Sequence, residues 1–158
     1  METSVMLGQL GYALPLLLGA MGSALGVLYA GRAAMGEWAK EGKSGKVQRF
    51  TYLIFTGMPL SQTLYGFVFM YVSLRGHLAG SDMALATSHG GVLFGLGLGC
   101  GLIQFISALV QGILGAGGCR VVGDSNGKGL GSIISAMGIA ESIGLLGLVF
   151  CMLLMPKI

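Results

Sequence analysis

Four long apolar stretches separated by short polar segments constrain this chain more than any other feature. They lie at about residues 10–31, 50–74, 90–122 and 129–155. Because an α-helix rises 1.5 Å per residue, each stretch is long enough to cross a hydrocarbon core of about 30 Å. Only 9% of the residues are charged, against about 25% in soluble domains. The sequence therefore predicts an all-α membrane protein with four transmembrane helices.

Basic residues predict which ends of the helices face the cytoplasm. The first and third connections carry most of them: Arg32, Lys40, Lys43, Lys46, Arg49, Arg120 and Lys128. The middle connection has only Arg75, and the termini have only Lys157. The positive-inside rule then places the loops at residues 37–49 and 119–129 in the cytoplasm and both termini outside. The basic first loop is mainly this topology signal, and a docking surface for a cytoplasmic partner is the alternative.

Other compositional signals are weak. The net charge is only +3, and no basic run is interleaved with aromatic residues, so nothing favours nucleic-acid binding. Cys100, Cys119 and Cys151 have neither a disulfide pattern nor a metal-ligand spacing, and we expect them to be buried as small apolar residues.

The spacing of glycines predicts which helices pack most closely. Gly22 and Gly26 are four residues apart in the first span, as are Gly91, Gly95 and Gly99 in the third. Small residues at this spacing let the backbones of membrane helices approach one another. We therefore expect spans one and three to be tightly packed, while spans two and four carry the larger apolar side chains.

An internal repeat indicates that the chain is a duplicated helical hairpin. The sequence LYGFVF at residues 64–69 resembles LLGLVF at residues 145–150, at an offset of 81 residues. The hairpins are predicted at residues 1–75 and 90–158, joined by an external loop at residues 76–89. This offset pairs Glu141 with Leu60, so only the second hairpin retains a carboxylate at this position.

Glu141 is the only acidic residue well inside a span. It lies about 17 Å along the helix from Leu130, near the middle of the membrane. An ionised carboxylate is costly there, and acidic residues at such positions usually mark an ion or proton path. The alternative is a protonated side chain that only holds two helices together.

Spans two and three offer polar partners at the same depth. Ser61, Gln62 and Tyr65 share one face of span two, and Pro59 removes a backbone donor and exposes carbonyl oxygens in that turn. On span three, Gln104 and Gln111 are seven residues apart on one face. The converging carboxylate, amide, hydroxyl and carbonyl oxygens are typical of a site for a hard cation, since a proton needs fewer ligands.

These residues resemble the sixteen-kilodalton proteolipid, the rotor-ring subunit of V-type ATPases, especially its bacterial sodium-pumping form. The similarity lies in PLSQTLYGFV at residues 59–68, in Gln111-Gly112, and in Glu141 with Gly147 six residues later. The resemblance implies five Na⁺ ligands: the Glu141 carboxylate, the Gln62 and Gln111 side chains, the Ser61 hydroxyl and the Met58 carbonyl. It also implies that Tyr65 hydrogen-bonds the carboxylate. Ser61 differs from the threonine of the family, so the hydroxyl is retained without its methyl group.

The resemblance further implies how such a subunit works. Many copies form a ring with spans one and three inside and spans two and four towards lipid and the stator. A cation neutralises Glu141, the subunit rotates through lipid, and an arginine of the stator displaces the ion. Cytoplasmic ATP hydrolysis drives the rotation through central-stalk subunits, which would bind the loops at residues 37–49 and 119–129. The subunit itself would be non-catalytic, with no cofactor except the carried ion.

Three alternatives remain open from the sequence. The same rotor subunit can carry H⁺, with Gln62 and Gln111 only orienting Glu141, but the number of oxygen ligands favours Na⁺. A small four-helix proton-coupled transporter is disfavoured because its acid would lie in the first span. A purely structural or pore-forming protein would leave the polar cluster unexplained.

Overall fold

The structure, a computed structural model, describes residues 2–78 and 83–156, and these residues are almost entirely helical. The α-helices are α1 Glu2–Tyr12, α2 Leu14–Lys43, α3 Tyr52–Gly57, α4 Ser61–Val68, α5 Arg75–Leu78, α6 Ala84–Asp124 and α7 Leu130–Leu153. A 3₁₀ turn at Met58–Leu60 joins α3 to α4, and a π-helical segment at Phe69–Leu74 joins α4 to α5. No strand occurs in the described ranges, as the sequence predicts.

The helices form four candidate membrane spans. Span one is α1 and α2, span two runs from α3 to α5, span three is α6, and span four is α7. Large apolar side chains point outward from them, for example Leu64 at 63% and Ile139 at 70% exposure. Water would not solvate such a surface, so it lies against lipid or other membrane helices. The chain is an integral, multi-pass membrane protein.

Three segments predicted as loops are partly helical, which corrects their bounds. Helix α2 continues through residues 37–43 of the loop placed at 37–49, and α6 includes residues 119–124 of the loop at 119–129. Helix α6 also begins at Ala84, inside the external loop placed at 76–89, whereas residues 79–82, including Asp82, and Lys157 lie outside the described residues. Apolar patterning shows where a helix leaves lipid and does not show where the helix ends.

Ion pairs stabilise the polar extension of α2 beyond its apolar stretch. Lys40 Nζ lies 2.7 Å from Glu37 Oε1, one turn apart on the same helix. The buried Glu41 carboxylate accepts hydrogen bonds from the Arg49 guanidinium at 2.9 Å and the Tyr52 hydroxyl at 2.8 Å. These contacts satisfy charged side chains that the sequence pattern alone assigns to a loop.

Glycines bring spans one and three into contact, as predicted, but only some of the expected glycines do so. Gly22 lies against the backbone of Phe105, and Gly26 lies against Ala108 and Gly112, so that a Cβ atom at any of these glycines would overlap backbone. Gly91, Gly95 and Gly99 have nothing within 4 Å of their Cβ positions, so their predicted role in this packing is wrong. Span three makes its close contacts instead through Gly97, Gly101 and Gly112, because spacing defines a stripe without showing which of two stripes faces the partner helix.

Two apolar clusters enclose a polar layer at mid-span. One cluster contains Phe69, Leu93 and Cys100, and the other contains Phe55, Cys119 and Met137. The three cysteines are free and buried, which confirms the prediction for them. The buried Gln62, Gln104, Ser107 and Gln111 lie in this layer, which positions the candidate site.

Candidate ion-binding site

The Glu141 carboxylate on α7 is held by groups that donate hydrogen bonds. The Tyr65 hydroxyl donates to Oε1 at 2.9 Å, and Gln111 Nε2 lies 3.5 Å from Oε2, at the long limit for a hydrogen bond. Donors of this kind stabilise the ionised form of a carboxylate. The salt bridges among the described residues involve Glu37, Asp124 and Glu41 and leave Glu141 without a cationic partner. A cation that balances its charge therefore has to come from outside this part of the chain.

Span two gathers three more oxygens where Pro59 interrupts the α-helix. Pro59 lacks a backbone N–H, and the chain takes a tighter 3₁₀ turn at Met58–Leu60. The Ser61 hydroxyl donates to the Met58 carbonyl at 3.0 Å and lies 3.2 Å from Gln62 Oε1. The backbone N–H of Ser61 also donates to the Met58 carbonyl. The carbonyl, hydroxyl and amide oxygens predicted as ligands are thus neighbours.

A row of hydrogen bonds fixes span three against span four. Gln104 Nε2 donates to the Gly144 carbonyl at 2.9 Å, and the Ser107 hydroxyl donates to the Ala140 carbonyl at 2.7 Å. One turn further, Gln111 Nε2 donates to the Met137 carbonyl at 3.2 Å. The three donors occupy one face of α6 and the three acceptors one face of the antiparallel α7. This row sets the rotation of α7 and hence the direction in which Glu141 leaves it.

The predicted site residues form two groups that adjoin each other. Tyr65 and Gln111 contact Glu141 directly, while Met58, Ser61 and Gln62 contact one another. The Ser61 hydroxyl also interacts with the Tyr65 hydroxyl. In addition, Gln62 Nε2 donates to the Ser107 hydroxyl at 3.2 Å. Span two is therefore connected to the carboxylate helix on both sides of Ser61.

Two buried amide oxygens have no hydrogen-bond partner among the described residues, Oε1 of Gln104 and Oε1 of Gln111. A buried acceptor without a partner costs about 1–3 kcal/mol. Gln104 does not contact Glu141, and its oxygen lies beside Gly144, where a Cβ atom would come within 2.9 Å of it. Gln111 reaches the carboxylate through its amide nitrogen, so a cation bound at Glu141 is within reach of its free oxygen.

Sequence reasoning missed Ser107, which joins the site to the row of hydrogen bonds. Ser107 lies between the two glutamines, three residues after Gln104 and four before Gln111, so it shares their face. That spacing was the available signal. It is ambiguous, since a serine in a helix often bonds the carbonyl four residues earlier, as Ser135 and Ser142 do here.

These features define the class: a multi-pass membrane protein with one intramembrane carboxylate, held by donors and adjoined by oxygen ligands. The family model for the C subunit of ATP synthase matches residues 10–72, which cover most of spans one and two. No curated protein matches the chain. The family match indicates a rotor-ring proteolipid of a rotary ATPase, of the kind that forms oligomeric rings with other ATPase subunits. Gln111 and Glu141 lie outside the matched residues, so the choice of ion has to be argued from their geometry.

Proposed function

We propose that this chain is the rotor-ring subunit of a V-type ATPase and carries Na⁺ across the membrane, driven by ATP hydrolysis in other subunits. The observation that carries the proposal is the surroundings of Glu141. Its carboxylate faces hydrogen-bond donors, and no salt bridge of the described residues reaches it. Four further oxygens adjoin it, from Met58, Ser61, Gln62 and Gln111.

The charge of the site supports a monovalent cargo. One carboxylate balances one positive charge, and within the described ranges no group of three His, Cys, Asp or Glu side chains is placed to hold a metal. Divalent cations in oxygen sites are usually held by several carboxylates. The remaining ligands here are neutral oxygens, which match a weakly bound monovalent ion that has to be released on each turn.

The directions of the hydrogen bonds favour Na⁺ over H⁺. A protonated Glu141 would carry a hydroxyl group that needs an acceptor. Gln111 instead presents its amide nitrogen to the carboxylate, and that group can only donate. The Ser61 hydroxyl, Gln62 Oε1 and Gln111 Oε1 also have no function in holding a proton on Glu141. Proton transport by the same rotor remains the alternative that the test below distinguishes.

The mechanism follows from the cost of moving a charge through lipid. A bare carboxylate at mid-membrane costs several kcal/mol, by the lowest of the published scales about 3 kcal/mol. Binding of a cation makes the site neutral, so that the subunit can pass from the stator into lipid. An arginine of the stator, on another chain, would then displace the ion when the site returns. The chain itself contributes binding, neutralisation and release.

Contacts between the two basic turns support a common docking end for the central stalk. Lys46 Nζ and the Arg49 guanidinium both donate to Asn126 Oδ1, at 3.2 and 3.3 Å. The turns after α2 and α6 therefore lie side by side at one end of the bundle. We place this end in the cytoplasm on the charge pattern, with both termini outside.

Carbodiimide modification of Glu141 tests the ion. The reagent attacks the protonated carboxyl group, so a bound Na⁺ that displaces the proton slows the reaction. We expect Na⁺, but not an equal concentration of K⁺ or choline, to protect Glu141 in the purified ring at moderately acidic pH. Peptide mass spectrometry separates Glu141 from Glu37 and Glu41. Equal modification with and without Na⁺ would favour H⁺ and overturn the sodium assignment.

Gln104 provides a matched control for Gln111. Both are fully buried glutamines on α6 that donate to a carbonyl of α7, but only Gln111 reaches Glu141. We expect Gln111→Leu to raise the Na⁺ concentration needed for half protection by about tenfold or more, as the loss of one ligand worth about 1.4 kcal/mol would. Gln104→Leu should leave it within about twofold. Equal effects of the two substitutions would mean that Gln111 only packs α6 against α7.

A further inference from the structure

Ser107 holds the side chain of Gln62 in one of its two possible orientations. The Ser107 side chain is 2% exposed and that of Gln62 is fully buried. The Ser107 hydroxyl donates to the Ala140 carbonyl at 2.7 Å, and Gln62 Nε2 lies 3.2 Å from the same hydroxyl oxygen. Ala140 directly precedes Glu141, so this hydroxyl lies between a proposed ligand and the carboxylate helix.

The hydrogen-bond inventory shows why the orientation is fixed. A hydroxyl has one proton and two lone pairs, whereas a carbonyl oxygen can only accept. Because the proton of Ser107 goes to the Ala140 carbonyl, the hydroxyl can only accept a hydrogen bond from Gln62. The amide nitrogen of Gln62 therefore faces Ser107, and its oxygen faces the other way, 3.2 Å from the Ser61 hydroxyl.

The reversed amide is penalised on both sides. It would bring Gln62 Oε1 against a hydroxyl oxygen whose proton is already used, leaving two buried acceptors in contact. It would also turn the amide nitrogen towards Ser61, the Met58 carbonyl and the ion, where a donor repels a cation. The network thus separates an oxygen-presenting state from a state that cannot coordinate the ion through Gln62.

We infer that Ser107 is a positioning residue for ion selectivity: its hydroxyl fixes the Gln62 amide with the oxygen towards the cation. The inference rests on the proposed function, since it concerns how the same site binds Na⁺. Ser107 makes no contact with Glu141 and acts through Gln62 alone. It therefore sets the affinity for Na⁺ and leaves the protonation of Glu141 unchanged.

The test is a double-mutant cycle between Ser107 and Gln62 in the assembled ring. The measured quantity is the Na⁺ concentration that half-protects Glu141 from carbodiimide. We expect Ser107→Ala to raise this concentration about tenfold, because the amide loses the partner that fixes it. In a Gln62→Leu background the same substitution should have no further effect, because residues that act through one another are not additive.

Two controls separate positioning from damage to the fold. Ser23→Ala removes another buried hydroxyl, one that donates to the Pro59 carbonyl, and should leave the half-protecting concentration unchanged. The pH dependence of modification without Na⁺ should be the same in Ser107→Ala as in the wild type. If Ser107→Ala does not assemble, Ser107→Cys keeps a side chain of similar size with a weaker donor, and should shift the concentration in the same direction by a smaller factor.

Each outcome bears on a different claim. Protection in the wild type with an unchanged value in Ser107→Ala would overturn the positioning role and leave the proposed function intact. An equal shift with and without Gln62 would also overturn it, since Ser107 would then act by moving α7. No protection by Na⁺ in the wild type would overturn the proposed function and this inference together.

Discussion

The two hairpins share one design on the inner side and differ at mid-membrane. In the first, the Ser23 hydroxyl donates to the Pro59 carbonyl, and in the second the Ser107 hydroxyl donates to the Ala140 carbonyl. Pro59 and Ala140 are separated by the repeat offset of 81 residues. A serine of each inner helix therefore bonds the equivalent carbonyl of its outer helix, which supports the interpretation of the chain as a duplicated hairpin.

The difference begins one residue later. Leu60 follows Pro59 in a 3₁₀ turn and is 55% exposed, whereas Glu141 follows Ala140 in an uninterrupted helix and accepts hydrogen bonds. The first hairpin supplies a carbonyl, a hydroxyl and an amide, and the second supplies a carboxylate and an amide. Duplication thus allowed the two copies to specialise as the neutral and the charged part of one site.

The largest expected effect comes from removing the charged part. Glu141→Gln should abolish ATP-driven Na⁺ uptake, because a neutral amide carries no charge for the ion to balance. The measurement is ²²Na⁺ uptake into vesicles that contain the complete ATPase. Uptake above that of vesicles without ATP would show that another residue carries the ion.

Moving the carboxylate to the first hairpin tests whether the specialisation is real. The double variant Glu141→Gln, Leu60→Glu should remain inactive in the same uptake assay. The positions 81 residues after Gln62 and Tyr65 are Ile143 and Leu146, which offer no hydrogen bond to a carboxylate at position 60. Restored uptake would mean that the two hairpins are interchangeable, contrary to this account.

A smaller effect is expected where the inner helices touch. Gly112→Ala places a methyl group against the backbone of Gly26, which cannot move aside as a side chain can. Overpacking of this kind costs about 1–3 kcal/mol, and we expect a lower midpoint of thermal dissociation for the ring. Gly99→Ala adds the same methyl group where nothing lies within 4 Å, and its midpoint should stay close to that of the wild type. Equal losses would contradict the assignment of the packing stripe.

The smallest effect is expected from Tyr65. Tyr65→Phe removes one donor to Glu141 Oε1 and leaves the oxygen ligands in place. A hydrogen bond to a charged group contributes about 1.5–3 kcal/mol, part of which a bound ion makes up by balancing the carboxylate. We expect roughly tenfold weaker protection of Glu141 by Na⁺, with uptake still measurable at high Na⁺. Complete loss of uptake would show that Tyr65 is as essential as Glu141.

Much of the fold followed from the sequence because lipid leaves few solutions. The four spans follow from apolar length alone, since a segment buried in hydrocarbon has to be helical. The exact ends of α2 and α6 did not follow, because Glu37 and Glu41 are stabilised by partners that the pattern does not reveal. The choice between the stripe of Gly91, Gly95 and Gly99 and that of Gly97, Gly101 and Gly112 likewise depends on the neighbouring helix.

The candidate site was predictable in its members and less so in its connections. Depth counting placed Gln62, Gln111 and Glu141 at one level, and the structure joins Gln111 to Glu141 directly. It joins Gln62 to the carboxylate helix only through Ser107. A serine between two glutamines has the same composition whether it bonds its own helix or a neighbour, so only the packing of α6 on α7 distinguishes the two.

The stoichiometry of Na⁺ binding tests the central claim most directly, because the account gives each chain one charged half-site and one neutral half-site. Equilibrium binding of ²²Na⁺ to the purified ring should show one ion per chain, and none in Glu141→Gln. Two ions per chain, or one ion retained without the carboxylate, would contradict it.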